Sequence, residues 1–361
     1  MKKIISACLA VCLVAGMCAC TRGAQTGEVQ TAPSAESTSE TTTQPSWQWQ
    51  KSSPDEQGLD PDVLEEVHRT FDSFPLLASV IVKNGYIVDE YYKDGYDAQS
   101  VFVLHSASKS VTSALVGIAV EQGLIESVDT PISAYLPRVL ELDDERWQQI
   151  TVRHLLTHTS GIQTTDDALW DAWRESPNWL EYIYALPIVS EPGARFSYST
   201  GNTHLLCVIL QAVVGESVDS FAKKYLFGPV GMESASIAAD AQGISDGGNG
   251  VQMDIYDMAR FGLLFLNGGD WQGTQVVPAQ WVQDSTTVQF ARDSGSADYG
   301  YQWWVRTFGD ARYDAYFAQG HGGQYIFVVP QLELVIAFTS NYEGRTTIYW
   351  NLVNDIVNAC A

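Results

Sequence analysis

The sequence predicts an α+β fold in which an antiparallel sheet is assembled from both ends of the chain, flanked by an N-terminal and a C-terminal helix, with a helical subdomain inserted between. Three observations carry this. Two apolar runs, 78–83 and 86–92, are separated by Asn84-Gly85, the strongest short hairpin signal. Strand patterns return only late, at 299–306, 324–329 and 334–340, while residues from Asp129 to about Gly250 read as helices and polar loops rich in Pro and Trp. Helix patterns bracket the whole: LDPDVLEEVHRTF at 59–71, with Pro61 suited to a first turn, and an apolar-periodic stretch over 347–357. Between them, a helix starts at Ser106 with Val111, Leu115, Ile118 and Ala119 on one face and ends near Gly123, and another covers 253–266. No internal repeat is present.

The 361 residues, 45% hydrophobic and 11% aromatic, can bury a large core. The start is of another kind. Lys2 and Lys3, an apolar run to Met17 and the triplet Cys18-Ala19-Cys20 have the order of a secretory signal, too short for a comfortable membrane span. Its ending resembles a bacterial lipoprotein signal, which makes Cys20 the expected lipidated residue, Cys18 the second choice and an unlipidated secreted chain the alternative. Residues 21–53 turn to Ser, Thr, Gln, Glu and Pro with no apolar period, and so read as a disordered linker. A coil of about 30 residues spans roughly 30 Å, enough to hold a folded domain clear of a bilayer. The expected organisation is therefore a signal peptide over 1–20, a linker over 21–53 and one folded domain over 54–361, whose sheet part covers about 54–128 and 251–361. The location is extracytoplasmic, with the membrane reached through the anchor.

A formal charge of −23 argues against nucleic acid and anionic lipid surfaces as partners, because phosphate binding needs clustered Lys and Arg. Four of the six cysteines fall in the signal region. Cys207 lies on an apolar helix-like run and reads as buried and free, although an oxidising location permits a disulfide.

The chemistry centres on VFVLHSASKS at 101–110. Residues three apart share a helix face, so the hydroxyl of Ser106 and the amine of Lys109 can meet. A serine hydroxyl is a weak nucleophile until its proton is accepted, and a lysine accepts one only if burial or nearby positive charge lowers its pKa from about 10.4 toward neutrality. The helix N-terminus supplies positive potential and free N–H groups for the oxyanion of an attacked carbonyl. Ser-x-x-Lys alone is weak: Ser220-Phe221-Ala222-Lys223 also fits, but inside a helix with no strand leading to it. Gly243-Ile244-Ser245-Asp246-Gly247 fits the G-x-S-x-G elbow, yet its flanks have loop composition.

The company of Ser106 decides between them. SASKSVTSALVGIAVEQGLI at 106–125 resembles the active-site helix of the serine β-lactamase and penicillin-binding-protein superfamily, in the branch of class C β-lactamase-related esterases and amidases. ITVRHLLTHTSGI at 150–162 is similar to that family's most diagnostic segment. Phe196-Ser197-Tyr198-Ser199-Thr200-Gly201-Asn202 matches its tyrosine motif, and Gly320-His321-Gly322-Gly323-Gln324 stands where its third motif stands. The resemblance runs from about Pro54 to the end of the chain and implies the β-lactamase/transpeptidase-like fold.

It also implies roles: Ser106 forms the acyl-enzyme, Lys109 and Tyr198 share the proton work, the backbone N–H groups of Ser106 and Gln324 form the oxyanion hole, and His321, Gly322, Gly323 and Gln324 contact substrate. No cofactor or metal is implied. His154 and His158 have a metal-ligand spacing, but no third ligand follows in pattern, and the resemblance implies a structural role. Within Tyr299-Gly300-Tyr301-Gln302-Trp303-Trp304, strand alternation makes core packing the default, with at most one ring facing substrate.

Departures bear on substrate. Thr200 stands where many relatives have asparagine two places after the tyrosine, and Asn202 is displaced. A histidine replaces the lysine of the third motif and supplies less fixed positive charge for a substrate carboxylate. No Glu-x-x-Leu-Asn segment is found. The expected function is a serine hydrolase acting on an ester or amide of a small molecule or short peptide. The alternatives are a β-lactamase or D,D-carboxypeptidase, and an inactive surface-anchored binding protein. Oligomeric state is not legible.

Overall fold

Asn84 and Gly85 both take positive φ, 52° and 82°, as a two-residue hairpin connection with right-handed strand twist demands. They join the first long strands of the sheet. The computed structural model describes residues 47–292, 297–342, 344 and 347–360. The expected signal segment with Cys20, and the expected linker up to residue 46, lie outside them.

In chain order the strands are β1 (Gln50–Lys51), β2 (Leu76–Lys83), β3 (Tyr86–Tyr92), β4 (Val101–Val103), β5 (Ser236–Ile237), β6 (Val251–Asp254), β7 (Asp270–Trp271), β8 (Thr274–Gln275), β9 (Asp298–Tyr299), β10 (Trp304–Phe308), β11 (Tyr313–Gly320), β12 (Gln324–Val329) and β13 (Leu334–Ser340). The helices are α1 (Pro61–Asp72), α2 (Ser108–Glu121), α3 (Val152–Leu156), α4 (Trp170–Arg174), α5 (Trp179–Tyr184), α6 (Thr200–Val214), α7 (Val218–Ala222), α8 (Gly228–Val230), α9 (Ile255–Leu266), α10 (Ala279–Thr286) and α11 (Thr347–Ala359). Among the described residues no single helix is long and apolar enough to cross a membrane.

The main sheet runs β1-β3-β2-β13-β12-β11-β10-β9. Every neighbouring pair is antiparallel except β1 with β3. Helix α1 begins as the sequence predicts, with the Asp60 carboxylate accepting from the Asp62 N–H at 2.9 Å and Pro61 in the first turn. Alternation along β13 divides the core: Leu334, Ile336 and Phe338 face a cluster shared with Phe71 of α1 and Val353 of α11, while Val335 and Ala337 face the larger cluster containing α2 and α9. Gly262 is what lets α9 lie flat, since a methyl built there would overlap Val335 and Ile326. The fold is thus the expected α+β arrangement, with α3 to α8 and short strand β5 forming the inserted part.

Four expectations are corrected. The ordered body begins before residue 54: Trp47 packs on Trp271 with ring centroids 4.8 Å apart, and β1 joins the sheet edge, because two indoles offer enough apolar area to hold a polar segment down. The expected strand 299–306 is broken at Gln302, φ 62°, whose buried amide is drawn to the end of α3 and to Thr203. Strand β11, Tyr-Asp-Ala-Tyr-Phe-Ala-Gln-Gly, carries too many polar and small residues to read as a strand from its sequence, yet it pairs on both sides. Helix α2 starts at Ser108 rather than Ser106, after a single tight turn over His105–Ala107.

Candidate active site

Strand β4 delivers the chain to Leu104, whose N–H donates to Val251 O at 2.9 Å. His105 then adopts φ 47°, a left-handed conformation that costs energy for a residue with a side chain and turns the backbone sharply. Ser106 emerges half-buried at the lip of a cleft, immediately before the first turn of α2.

Lys109 sits one turn on, with only 1% of its surface exposed. Its Nζ is 2.9 Å from Ser106 Oγ, 3.0 Å from Thr200 Oγ1 and 2.8 Å from Gly248 O. Gly248 permits this approach, since a methyl there would overlap the Thr200 side chain. Loss of water lowers the pKa of Lys109 to about 8; the carboxylates of Asp166 and Asp246 oppose the shift and the Arg174 guanidinium assists it.

Tyr198 lies just ahead of α6. Its ring stacks on Trp304, centroids 5.9 Å apart and planes 17° from parallel, and Lys109 Nζ is 4.9 Å from its centroid. Burial raises its pKa above the usual phenol value, and a hydrogen bond with the Ser106 side chain works in the opposite sense.

His158, fully buried with φ 55°, supports the Tyr198 segment from behind, its ring centroid 4.5 Å from that of the tyrosine. The Ser199 N–H donates to His158 Nδ1 at 3.4 Å, so the proton belongs on Nε2, which donates to the Tyr299 hydroxyl at 3.1 Å. Burial holds this imidazole neutral, well below its ordinary pKa. His154 is elsewhere in function: its Nδ1 accepts from the Thr151 N–H at the start of α3. Among the described residues no group of three or more His, Cys, Asp or Glu side chains converges as metal ligands would.

The turn joining β11 to β12 closes the cleft, whose volume is about 270 Å³. Gly322 and Gly323 bend it with φ 75° and 97°. His321 is exposed, edge-on to His105 with centroids 5.7 Å apart. The Gln324 side chain turns away, donating to Ser340 O at 2.6 Å. Tyr198, Trp304, Tyr325, Tyr342 and Tyr349 contribute to the walls, and among the described residues no Lys, Arg, Asp or Glu does. Of the aromatic run at 299–304, Trp304 alone lines the cleft; Tyr299, Tyr301 and Trp303 are core residues.

Residues 68–352 match the protein family described as Beta-lactamase. The chain belongs to that family. It is 25% identical over 299 residues to the 6-aminohexanoate-dimer hydrolase of Paenarthrobacter ureafaciens, covering 76% of this chain and 74% of that protein. It is 28% identical over 162 residues to the lovastatin esterase of Penicillium rubens, covering 39% and 40% of the two. Among solved structures, EstCE1, a hydrolase with promiscuous acyltransferase activity, superposes with a TM-score of 0.70 at 17% identity, covering 84% of this chain and 99% of that one, which speaks for the fold.

This beta-lactamase-family chain carries two decoys that the geometry sets apart. Ser220 is exposed, and Lys223 turns from it to Asp219, 2.7 Å away. Ser245 is buried in a loop, bridged to Ala239, with no helix following it. Cys207 is free and buried, as expected, and Cys360 is free and half-buried. Asn202 donates no group to the cleft; its Oδ1 accepts from Ser160 at 2.8 Å. Neither Asp166, which binds Thr200 behind Lys109, nor Gly248 is marked by any motif in the sequence. Both act from loops far along the chain, where no spacing rule applies.

Proposed function

We propose that this protein is a serine hydrolase that cleaves an ester or unstrained amide through an acyl-enzyme on Ser106. The observation that carries the reading is Lys109: a buried amine 2.9 Å from a hydroxyl at the lip of a cleft, with its pKa lowered to about 8. Neutral Lys109 takes the Ser106 proton as Oγ bonds to the substrate carbonyl. Tyr198, beside both groups, relays that proton to the leaving alcohol or amine as its bond to the acyl carbon breaks. Water then attacks the acyl-enzyme by the reverse proton path and releases the acid. Backbone N–H groups of Ser106 and Gln324 are the proposed oxyanion donors.

Esters and unstrained amides are favoured over β-lactams and D,D-peptides because the cleft wall carries rings and His321 and, among the described residues, no fixed cation, and because the named relatives include a 6-aminohexanoate-dimer hydrolase and an esterase. Anchoring outside the cell membrane through a lipid on Cys20 is part of the same proposal and rests on the order of residues in 1–20. Metabolic labelling with a palmitate analogue tests it: Cys20→Ser should lose the label.

The activity is tested by turnover of a small chromogenic ester and by fluorophosphonate labelling. Ser106→Ala should abolish both while the far-UV spectrum is kept. Labelling that persists in Ser106→Ala, with the adduct on Ser245 or Ser220, refutes the assignment. Nitrocefin turnover faster than that of every ester and short amide in a panel would move the protein to the β-lactamase reading.

A further inference from the structure

Behind the lysine stands a carboxylate that does not touch it. Asp166 Oδ2 accepts from the Thr200 N–H at 2.5 Å, and Asp166 Oδ1 accepts from the Thr200 hydroxyl at 2.9 Å. Thr200 Oγ1 in turn lies 3.0 Å from Lys109 Nζ. Thr165, next in the chain, holds the Gly201 N–H at 2.8 Å, so this loop is bonded to the first turn of α6 at two points.

We infer that Asp166 and Thr200 are positioning residues that fix the direction of the hydrogen bond between Ser106 and Lys109. This rests on the proposed roles of Ser106 and Lys109. A carboxylate accepts and cannot donate, so the one hydroxyl proton of Thr200 is committed to Asp166. The oxygen of Thr200 therefore faces Lys109 as an acceptor. The carbonyl of Gly248, 2.8 Å away, is an acceptor by nature. A neutral amine has two N–H bonds and one lone pair. Both N–H bonds are claimed, by Thr200 and Gly248, and the lone pair is left for the third neighbour, Ser106 Oγ. Were the Thr200 hydroxyl free to rotate, it could donate to Nζ, occupy the lone pair and leave Lys109 donating to Ser106, which is the wrong direction for a base. Thr200 thus fills the place expected of a substrate-contacting asparagine, and does so for the lysine rather than for the substrate.

The charges around Lys109 give the test its signature. Asp166 and Asp246 raise its pKa; Arg174 and burial lower it; Cys207 adds a weak raising influence, and the neutral His158 and Tyr198 complete the surroundings. Removing the charge of Asp166 removes an attraction for the ammonium, so the acidic limb of kcat/KM should move to lower pH even as the maximum falls. A role confined to holding α6 through the Thr200 N–H would leave Thr200→Val, which keeps that N–H, labelling at the wild-type rate.

The variants are Asp166→Asn, Thr200→Val and Thr200→Ser, each compared with Ser106→Ala by ester turnover, fluorophosphonate labelling rate and melting temperature. Thr200→Val keeps the shape and loses the hydroxyl, and should slow labelling about 10–100-fold. Thr200→Ser should restore the rate to within about threefold, since it keeps both hydrogen bonds. Asp166→Asn should slow labelling and shift the acidic limb downward. Wild-type labelling in Thr200→Val, or an unshifted limb in a folded Asp166→Asn, overturns the inference. If Asp166→Asn does not fold, the contrast between Thr200→Val and Thr200→Ser decides alone. Activity surviving in Ser106→Ala would instead overturn the parent proposal, whereas a dead Ser106→Ala beside normal Thr200→Val and Asp166→Asn removes only the relay.

Discussion

Gly320, the last residue of β11, lies directly against Leu104, the residue that leads into the Ser106 turn. A methyl group built on Gly320 would overlap the Leu104 carbonyl oxygen and crowd the Ala107 nitrogen. Backbone is what it would strike, and backbone cannot swing aside as a side chain does. The sheet and the serine turn are held in register by the absence of one carbon atom.

Gly320→Ala should therefore separate β11 from the turn. The expected cost is about 1–3 kcal/mol of stability, as for other overpacked sites. Ester turnover should fall further than the stability loss explains, because the third-motif turn moves away from Ser106. Urea unfolding and kcat/KM on the same preparation check both parts.

The lowered pKa of Lys109 fixes the pH dependence. In its proposed role as base Lys109 must be neutral, so kcat/KM for a neutral ester should rise with pH and level off above about 8. Lys109→Met should cost about 10²–10⁴-fold and abolish that inflection. A profile already flat from pH 6 to 9 would rule out Lys109 as the base.

His321 is the place to alter charge preference. It is exposed at the cleft, and the walls lack a fixed cation among the described residues. A charge-assisted hydrogen bond contributes about 1.5–3 kcal/mol. His321→Lys should raise kcat/KM for a carboxylate-bearing substrate such as nitrocefin about tenfold relative to a neutral ester. Equal effects on both substrates would show that His321 does not meet that end of the substrate.

Stability should fall on the acid side because of buried neutral imidazoles. Burial depresses the pKa of His158 well below 6.5 and that of His204 to about 4. The unfolded chain then takes up protons that the folded chain refuses. The stability held by neutral His158 and His204 is complete above about 6.5 and is lost progressively as pH falls below it. Melting temperature measured from pH 8 to 4 should decline below 6.5, and His158→Gln should decline less steeply.

Much of this was legible because local chemistry and global fold agree at the decisive places. Asn84-Gly85 can hardly be anything but a tight hairpin, and Ser106 followed by Lys109 requires only helical spacing to bring two side chains together. What stayed hidden depends on contacts between distant loops. Asp166 acts on Lys109 through Thr200, and Gly248 reaches it from the far side, with no shared element to give a period. Strand β11 fails an alternation test because Ala315, Phe317 and Tyr316, Ala318 are buried on both faces, so the pattern of a central strand replaces that of a half-exposed one. Gln302 interrupts an aromatic run for a tertiary reason, its amide being held by Leu156 O and Thr203.

The two residues Gln50 and Lys51 have a consequence out of proportion to their number. They run parallel to β3 beside Tyr86 and Ile87, Ser52 N–H donates to Ile87 O, and Lys51 pairs with Glu90. They shield the outer border of the sheet, where bare backbone would otherwise recruit a strand from another molecule. Proteolytic trimming past Lys51 would expose that border and uncap Trp271, making the protein more prone to self-association while leaving untouched Ser106, which follows β4 of the separate three-stranded sheet.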